Sequence, residues 1–542
     1  MPTIASFLSG MSTFDADVYI TDRNNSVRTP ISSAVTSVQP DWDIDRSGSK
    51  SSVAIETHQP VLTDGMWIAP YIKITPEVGD VTEQQMGHFR LATPGAMIDG
   101  SVDYDGVAKV VQTASGSDIV DDIARARLAE TFYTPVGGLV MLDVENLIRL
   151  ATCGVIGPNL LTNGSFEDGL TGWAAGVVGA AVTPFAYTNS AATEGSDILA
   201  LDLNGSAAAG ASTQVFQGVT VPTGTRYLAA SFMGLSDLEA DLVLYLHLKD
   251  STGATIIATG YITADRAAGV WQRRVTFVPV PVGTASATVV VYNQARTGGA
   301  ATGSESLVDD VQLRTCTSMP LPAERISLPP STAVASTRIQ TTSGKSYAYD
   351  AINADRLAAI GHHALYTTLD GRLTSSPVRD VASATPSRQY GRDDYRLVGT
   401  VETERSATNR HNHYIAIKED SQDATNTLVA NAYNRDPDDP WSILNMALSS
   451  ADPIMVQDAV SQEALQAVAD AALARASEQE ILRIQVLPDP ALTVHSVIEI
   501  VESALPEAVG KWLVESITPG MSADNPLVEI GARRTRRAGG IY

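Results

Sequence analysis

Asn159-Leu160-Leu161-Thr162-Asn163-Gly164-Ser165-Phe166-Glu167 opens, and Leu307-Val308-Asp309-Asp310-Val311-Gln312-Leu313 closes, a stretch unlike the sequence around it. Residues 159 to 313 are almost free of lysine and dense in Ala, Gly, Val and Thr. Strand candidates recur through it at Leu199 to Leu203, Thr213 to Phe216, Arg226 to Phe232, Ala240 to Leu248, Thr255 to Thr263, Gln272 to Pro279 and Ser286 to Tyr292. Their number and spacing predict two stacked sheets about 10 Å apart, with alternate Leu and Val side chains turned inward. The two quoted runs read as the module's first and last strands, and the flanks read as one different protein. A module grafted into a host scaffold is therefore expected.

Working outward, residues 17 to 112 carry further strand signals. Asp17-Val18-Tyr19-Ile20-Thr21-Asp22 alternates apolar and polar, and Met66 to Ile74 is apolar but interrupted by Pro70, which argues for an edge strand or a bulge. A small barrel or sandwich fits. The period then changes: Asp118 to Glu130 and Asp143 to Ala151 read as short helices, the first with acids at its favourable end. Beyond the module, Ala351 to Ile360 reads as a helix stopped by Gly361, Asp370-Gly371 as a hairpin turn, and 461–476 as a helix. The expected divisions are 1–155, 156–317, 318–385 and 386–542. The third continues the first, and the last ends in a basic tail.

Composition bounds the function. With 61 acids against 37 bases the net charge is −24, a field that repels nucleic acid and anionic membrane. The one basic cluster, Arg533, Arg534, Arg536 and Arg537, reads as a solvated tail, a contact to an acidic neighbouring subunit or a nucleic-acid contact. No run approaches 18 uncharged apolar residues, so no transmembrane segment is expected, and Met1 to Asp15 lacks the pattern of a signal peptide. The two cysteines, Cys153 and Cys316, stand just outside the module's ends. They would approach if those ends meet, which leaves open a disulfide or two buried thiols.

The segment 159–313 resembles the jelly-roll carbohydrate-binding modules attached to glycanases and other surface proteins. Asn163-Gly164-Ser165-Phe166-Glu167, Gly172-Trp173 and Val308-Asp309-Asp310-Val311 carry the resemblance. It implies a structural calcium (Ca2+) between the first and last strands, with Glu167 and Asp310 as ligands and Asp309 a weaker one. Carboxylates at strand ends suit a hard cation, although they also suit plain solvent exposure.

The flanks, 17–152 and 317–530, resemble the minor tail protein of the tail-tip hub in long-tailed phages, especially those of actinobacteria. The ordered features are Ile20-Thr21-Asp22-Arg23, Leu62-Thr63-Asp64-Gly65-Met66, Gly87-His88-Phe89-Arg90-Leu91 and Ala124-Arg125-Ala126-Arg127. After the module come Ala359-Ile360-Gly361-His362-His363, Leu369-Asp370-Gly371-Arg372, Asn431-Ala432-Tyr433-Asn434, Pro437-Asp438-Asp439-Pro440-Trp441-Ser442 and Leu487-Pro488-Asp489-Pro490-Ala491-Leu492. The implied fold class is mainly β with a few short helices: hub-type β-barrel domains plus an inserted jelly-roll β-sandwich. The resemblance also implies a virion protein at the tail tip, a homotrimeric ring, and as partners the distal tail protein ring, the tape-measure protein and other minor tail proteins. A host cell-surface glycan is the partner expected for the insert. A secreted polysaccharide-binding protein or glycanase accessory module is the alternative.

Sugar recognition needs aromatic faces beside convergent polar groups. Tyr245 is opposite in parity to Leu242, Leu244, Leu246 and Leu248, so it shares the more polar strand face with His247. Tyr245, His247, Trp271 and Tyr261 are the candidate glycan contacts, while Trp173 reads as core. A purely structural insert remains the alternative. Catalysis is not expected, because Glu167 and Asp310 would have to form the carboxylate pair of a glycosidase and no nucleophile elbow or zinc helix occurs. His411 and His413 share a strand face, as a metal pair or as plain polar surface.

Overall fold

The computed structural model describes residues 12–535, apart from 44–50, 77–80, 93–94, 103–107, 128–132, 135–137, 155–156, 180–181, 190–191, 193–194, 204–209, 237–239, 255, 265–270, 296–303, 336–338, 341–347, 378–380, 382, 392–396, 406–410, 419–427, 436, 438–441, 456–461, 477–478, 490–491, 504 and 522–526. Arg536, Arg537, the run from Asp438 to Trp441, Ser461 and the end of the expected 118–130 helix lie outside these residues. The fold is mainly β with four α-helices among the described residues. None of the helices is long and apolar enough to cross a membrane.

The two ends of the chain build one 15-stranded sheet. From the N-terminal side its path runs through Ser12–Thr21, Trp67–Pro76, Phe89–Leu91, Ala108–Ser117, Ser51–Thr57 and Val35–Asp43. It then crosses to Gly510–Pro519, Val528–Thr535, Gln479–Val486 and Leu397–Arg405. The junction is the pair Trp42↔Ile517 and Asp43↔Ser516, reinforced by a 2.7 Å bond from the Thr518 hydroxyl to Asp41. Trp42, Phe89 and Ile68 share one core with Trp512, Ile517 and Ile530. This path does not close into a barrel among the described residues, because the early and late strands continue each other's sheet instead of curling separately.

Pro70 is not on an edge. Its strand is paired with Ser12–Thr21 on one side and, on the other, with the short strands Thr82–Gln85 and Phe89–Leu91. The Pro70 carbonyl accepts from Met86 N at 2.7 Å, in the gap between those short strands. A residue's N and C=O point the same way in a strand, so the missing donor faces that gap and breaks no ladder bond to Val18.

Of the helices, Val140–Cys153 lies against the insert, on strand Gln272–Pro279. Ile119–Arg125 is capped by Asp118, which accepts from Val120 N and also from Ser51 and, across the insertion, Thr367. Val140–Cys153 starts earlier than the expected Asp143 because Val140 and Met141 are themselves buried in the helical core. The expected 351–360 helix becomes Ala348–Ile352, a wider turn over Asn353–Leu357 and a short 3-10 turn, stopped by Gly361 at φ 69°. Gln462–Ala476 packs on the separate three-stranded sheet of Leu428–Tyr433, His413–Lys418 and Ile454–Met455.

The insert is a sandwich of two five-stranded antiparallel sheets. One is ordered Ala174–Val178, Ser212–Thr220, Ser286–Ala295, Ala240–Lys249, Ile256–Thr263. The other is ordered Phe185–Thr188, Asp197–Leu203, Ser304–Cys316, Tyr227–Leu235, Gln272–Pro279. Leu242, Leu244, Leu246 and Leu248 face Leu199, Leu201, Phe232 and Leu313 within one core. Trp173 belongs to this core, tilted on Phe166 at 5.4 Å, with its indole N–H donating to the Asn163 carbonyl.

One expectation fails here: the opening run 159–167 is not a strand. Asn163 and Phe166 have φ of 52° and 59°, and the segment runs beside the last strand through Leu160 N to Leu313 O and Val311 N to Gly164 O. Gly164 presses so close that a Cβ there would run into the Val311 carbonyl oxygen.

The insert is docked, not tethered. Val275 of strand Gln272–Pro279 sits in the helical core of the host. Asn146 of helix Val140–Cys153 donates to the Arg273 carbonyl at 2.6 Å, and Arg149 lies 4.9 Å over the Phe277 ring.

Candidate functional site

Strand Ala240–Lys249 turns its leucines inward, so Tyr245, His247 and Lys249 face the other way. Register carries that parity across the sheet: Phe216 pairs with Val290, Val290 with Tyr245, and Tyr245 with Tyr261. Strand spacing makes this row roughly 14 Å wide. Tyr245 is the hub of the ring contacts. It stacks on Tyr292 (5.3 Å, 12°) and His247 (5.7 Å, 14°), and lies 5.7 Å from Tyr261. Tyr261 is 65% exposed, so its ring is available to a ligand. Tyr245, Tyr292 and His247, with Gln214, Lys249 and Thr288, line a shallow depression of about 400 Å³.

The electrostatics are mild. Burial, with Lys249 nearby, lowers the His247 pKa, and His247 Nδ1 lies 3.2 Å from the Thr259 hydroxyl. Burial raises the Tyr292 phenol, helped by its hydrogen bond with Tyr245. Neutral rings with fixed hydroxyls can stack on the CH face of a sugar and hydrogen-bond its edge.

The structure puts Tyr245 and His247 on one face, as alternation along their strand predicts, and register brings the candidate Tyr261 beside them, but not Trp271. Its indole precedes strand Gln272–Pro279 of the opposite sheet and is only 7% exposed. Phe216, Gln214 and Thr288 join the face without having been singled out. The outward parity of Gln214 and Phe216 on strand Ser212–Thr220 was the available signal.

The calcium expectation fares differently. The Glu167 carboxylate accepts from Ser196 N (2.8 Å) and Asp197 N (2.7 Å). Asp310, at φ 44°, is buried in an ion pair with Arg273 and also accepts from Gln312. Asp309 accepts from the Asp310 amide. A buried guanidinium at the central carboxylate already supplies the positive charge and would repel a second cation. The residues do not fit calcium. Among the described residues no group of three or more His, Cys, Asp or Glu could hold a metal ion. His411 and His413 likewise engage hydroxyls, of Ser449 and Ser450, and His413 also meets Asn431.

Cys153 and Cys316 do meet, as thiols 3.4 Å apart and buried beside Ala229. Their mutual hydrogen bond and then burial push the Cys153 pKa up. Arg533 pairs with Glu515, and Arg534 pairs with Glu480 and lies 4.1 Å over Trp512. These two are fold contacts, not a loose tail.

The sequence matches no protein-family profile and no curated protein. Among solved structures, the chain is similar to the 43 kDa tail protein of prophage MuSo2 from Shewanella oneidensis. Identity is 7% over 96% of this chain and 98% of that one, with a TM-score of 0.45. A carbohydrate-binding module, TmCBM61 in complex with β-1,4-galactotriose, matches 29% of this chain over 99% of its own at 17% identity and a TM-score of 0.23. The enzymatically active domain of bacteriophage CBA120 tailspike protein 4 matches 29% of this chain but only 21% of its own length, at 12% identity and a TM-score of 0.25. All three scores fall below 0.5, so no function passes from these proteins to this chain.

Proposed function

We propose that the chain is a structural protein of a phage tail tip whose inserted sandwich grips glycan on the host surface. The observation that carries the glycan half is the outward cluster of Tyr245, Tyr292, His247 and Tyr261 on a rigid sheet. The tail half draws on the ordered sequence features of the flanks and on a host sheet built from both flanks, separate from the insert's own two sheets. In this reading the host part forms the hub ring as a trimer, meets the distal tail ring and the tape-measure protein, and does no chemistry itself.

Two experiments test the halves separately. The full chain should bind cell-wall polysaccharide of its host in calorimetry, and Tyr245→Ala should weaken that about ten-fold or more. Wild-type affinity in the variant would remove the site. Antibody to the chain should label one end of the tail in electron micrographs of particles, and unlabelled tails would remove the virion assignment.

A further inference from the structure

We propose that this aromatic face takes an acidic saccharide, with a sugar carboxylate or phosphate paired to Lys249; the inference rests on the glycan reading above. The argument starts from the hydrogen-bonding inventory. Sugar hydroxyls both donate and accept, and the strongest acceptor a protein can offer them is a carboxylate. None of the residues lining the depression is an acid. The hydroxyls of Tyr245 and Tyr292 are engaged with each other. What stands out is donor capacity: the Lys249 ammonium carries three N–H groups and no acceptor. Among the described residues no carboxylate pairs with it. The neighbouring Asp250 turns to its own loop, where it accepts from Thr252 N and Oγ1. Asp241 lies at the far end of the same strand, roughly 26 Å away at strand rise.

Geometry gives the track. Lys249, His247 and Tyr245 succeed one another along one strand face, and Tyr292 stacks beyond Tyr245. From Lys249 to Tyr245 is roughly 13 Å, a path for several sugar rings laid parallel to the strand with an anion at the Lys249 end. The chain's charge of −24 opposes an anion only at long range. Physiological salt screens beyond about 8 Å, so the local ammonium decides.

The test uses the full chain and calorimetry with three probes: a uronic-acid oligosaccharide, a sugar-phosphate oligomer and a neutral gluco-oligosaccharide. One acidic probe should bind about ten-fold or more tighter than the neutral one, and which one assigns the anion as carboxylate or phosphate. Lys249→Gln should erase that preference and Lys249→Arg should retain it, with both variants melting like wild type. Equal affinity for neutral and acidic probes overturns the inference and leaves the glycan reading standing, as does an undiminished preference in Lys249→Gln. Failure to bind any saccharide, host polysaccharide included, defeats both.

Discussion

At the scale of single residues, the interior is organised by buried charge. Asp143 pairs with Arg356 at 3.1 Å, and both are almost fully buried. Arg273, paired with Asp310, adds a second cation near Asp143. Burial outweighs both cations and raises Asp143 from 3.8 to about 7. A raised folded-state pKa gives stability that is present below 3.8 and lost as pH rises through about 7. Asp143→Asn should therefore gain on wild type in urea midpoint as pH climbs across that window, and parallel curves would count against it. His88 has the opposite sign. It stacks on Trp67 at 4.7 Å, and burial, with Arg325 beside it, depresses its pKa from 6.5 to about 3. Its contribution is present above 6.5 and lost as pH falls toward 3, so His88→Gln should flatten the acid limb of the melting profile. Tyr245 and His247 were legible because strand alternation is local. The Arg273–Asp310 pair was not, since the two strands must first settle on either side of Tyr227–Leu235 before their charges can meet across it.

At the scale of elements, the last strand and the run beside it deserve separate tests. The run 159–167 carries apolar residues in strand-like density, yet its left-handed Asn163 and Phe166 let it wrap Leu313 instead of pairing through a ladder. Gly164→Ala should lower stability by about 1–3 kcal/mol, read as a lower melting temperature, because the Val311 carbonyl cannot retreat without losing the bond it accepts from Asn159 Nδ2. An unchanged temperature would show that the segment yields. With Asp310 held by Arg273, EDTA should leave the melting temperature where it is, and a clear drop would reinstate calcium. The helix Val140–Cys153 was legible in type, from Val144, Leu147, Ile148 and Leu150, but not in its first turn. Val140 and Met141 are buried by partners far along the chain, among them Leu321 and Ala335.

At the scale of the whole molecule, host and insert share a core through Val275. Val275→Asp would put an unpaired charge among Val144, Leu147 and Ile148. Calorimetry should then resolve two unfolding events where wild type has one, and a single transition at the wild-type temperature would refute the shared core. The insert's stacked sheets were legible, since apolar alternation recurs along strand after strand of it. The single host sheet was not: the alternation in Val35–Asp43 and Gly510–Pro519 says which face is buried, but not that Trp42 chooses Ile517.

The chain enters and leaves the insert at one spot, where Cys153 touches Cys316 and helix Val140–Cys153 braces strand Gln272–Pro279. A tug on the outer lobe is therefore shared by both crossings and by the bracing helix together. The lobe cannot swing as a pendulum on one thread, and strain imposed far out arrives directly at the girder that the two chain ends assemble.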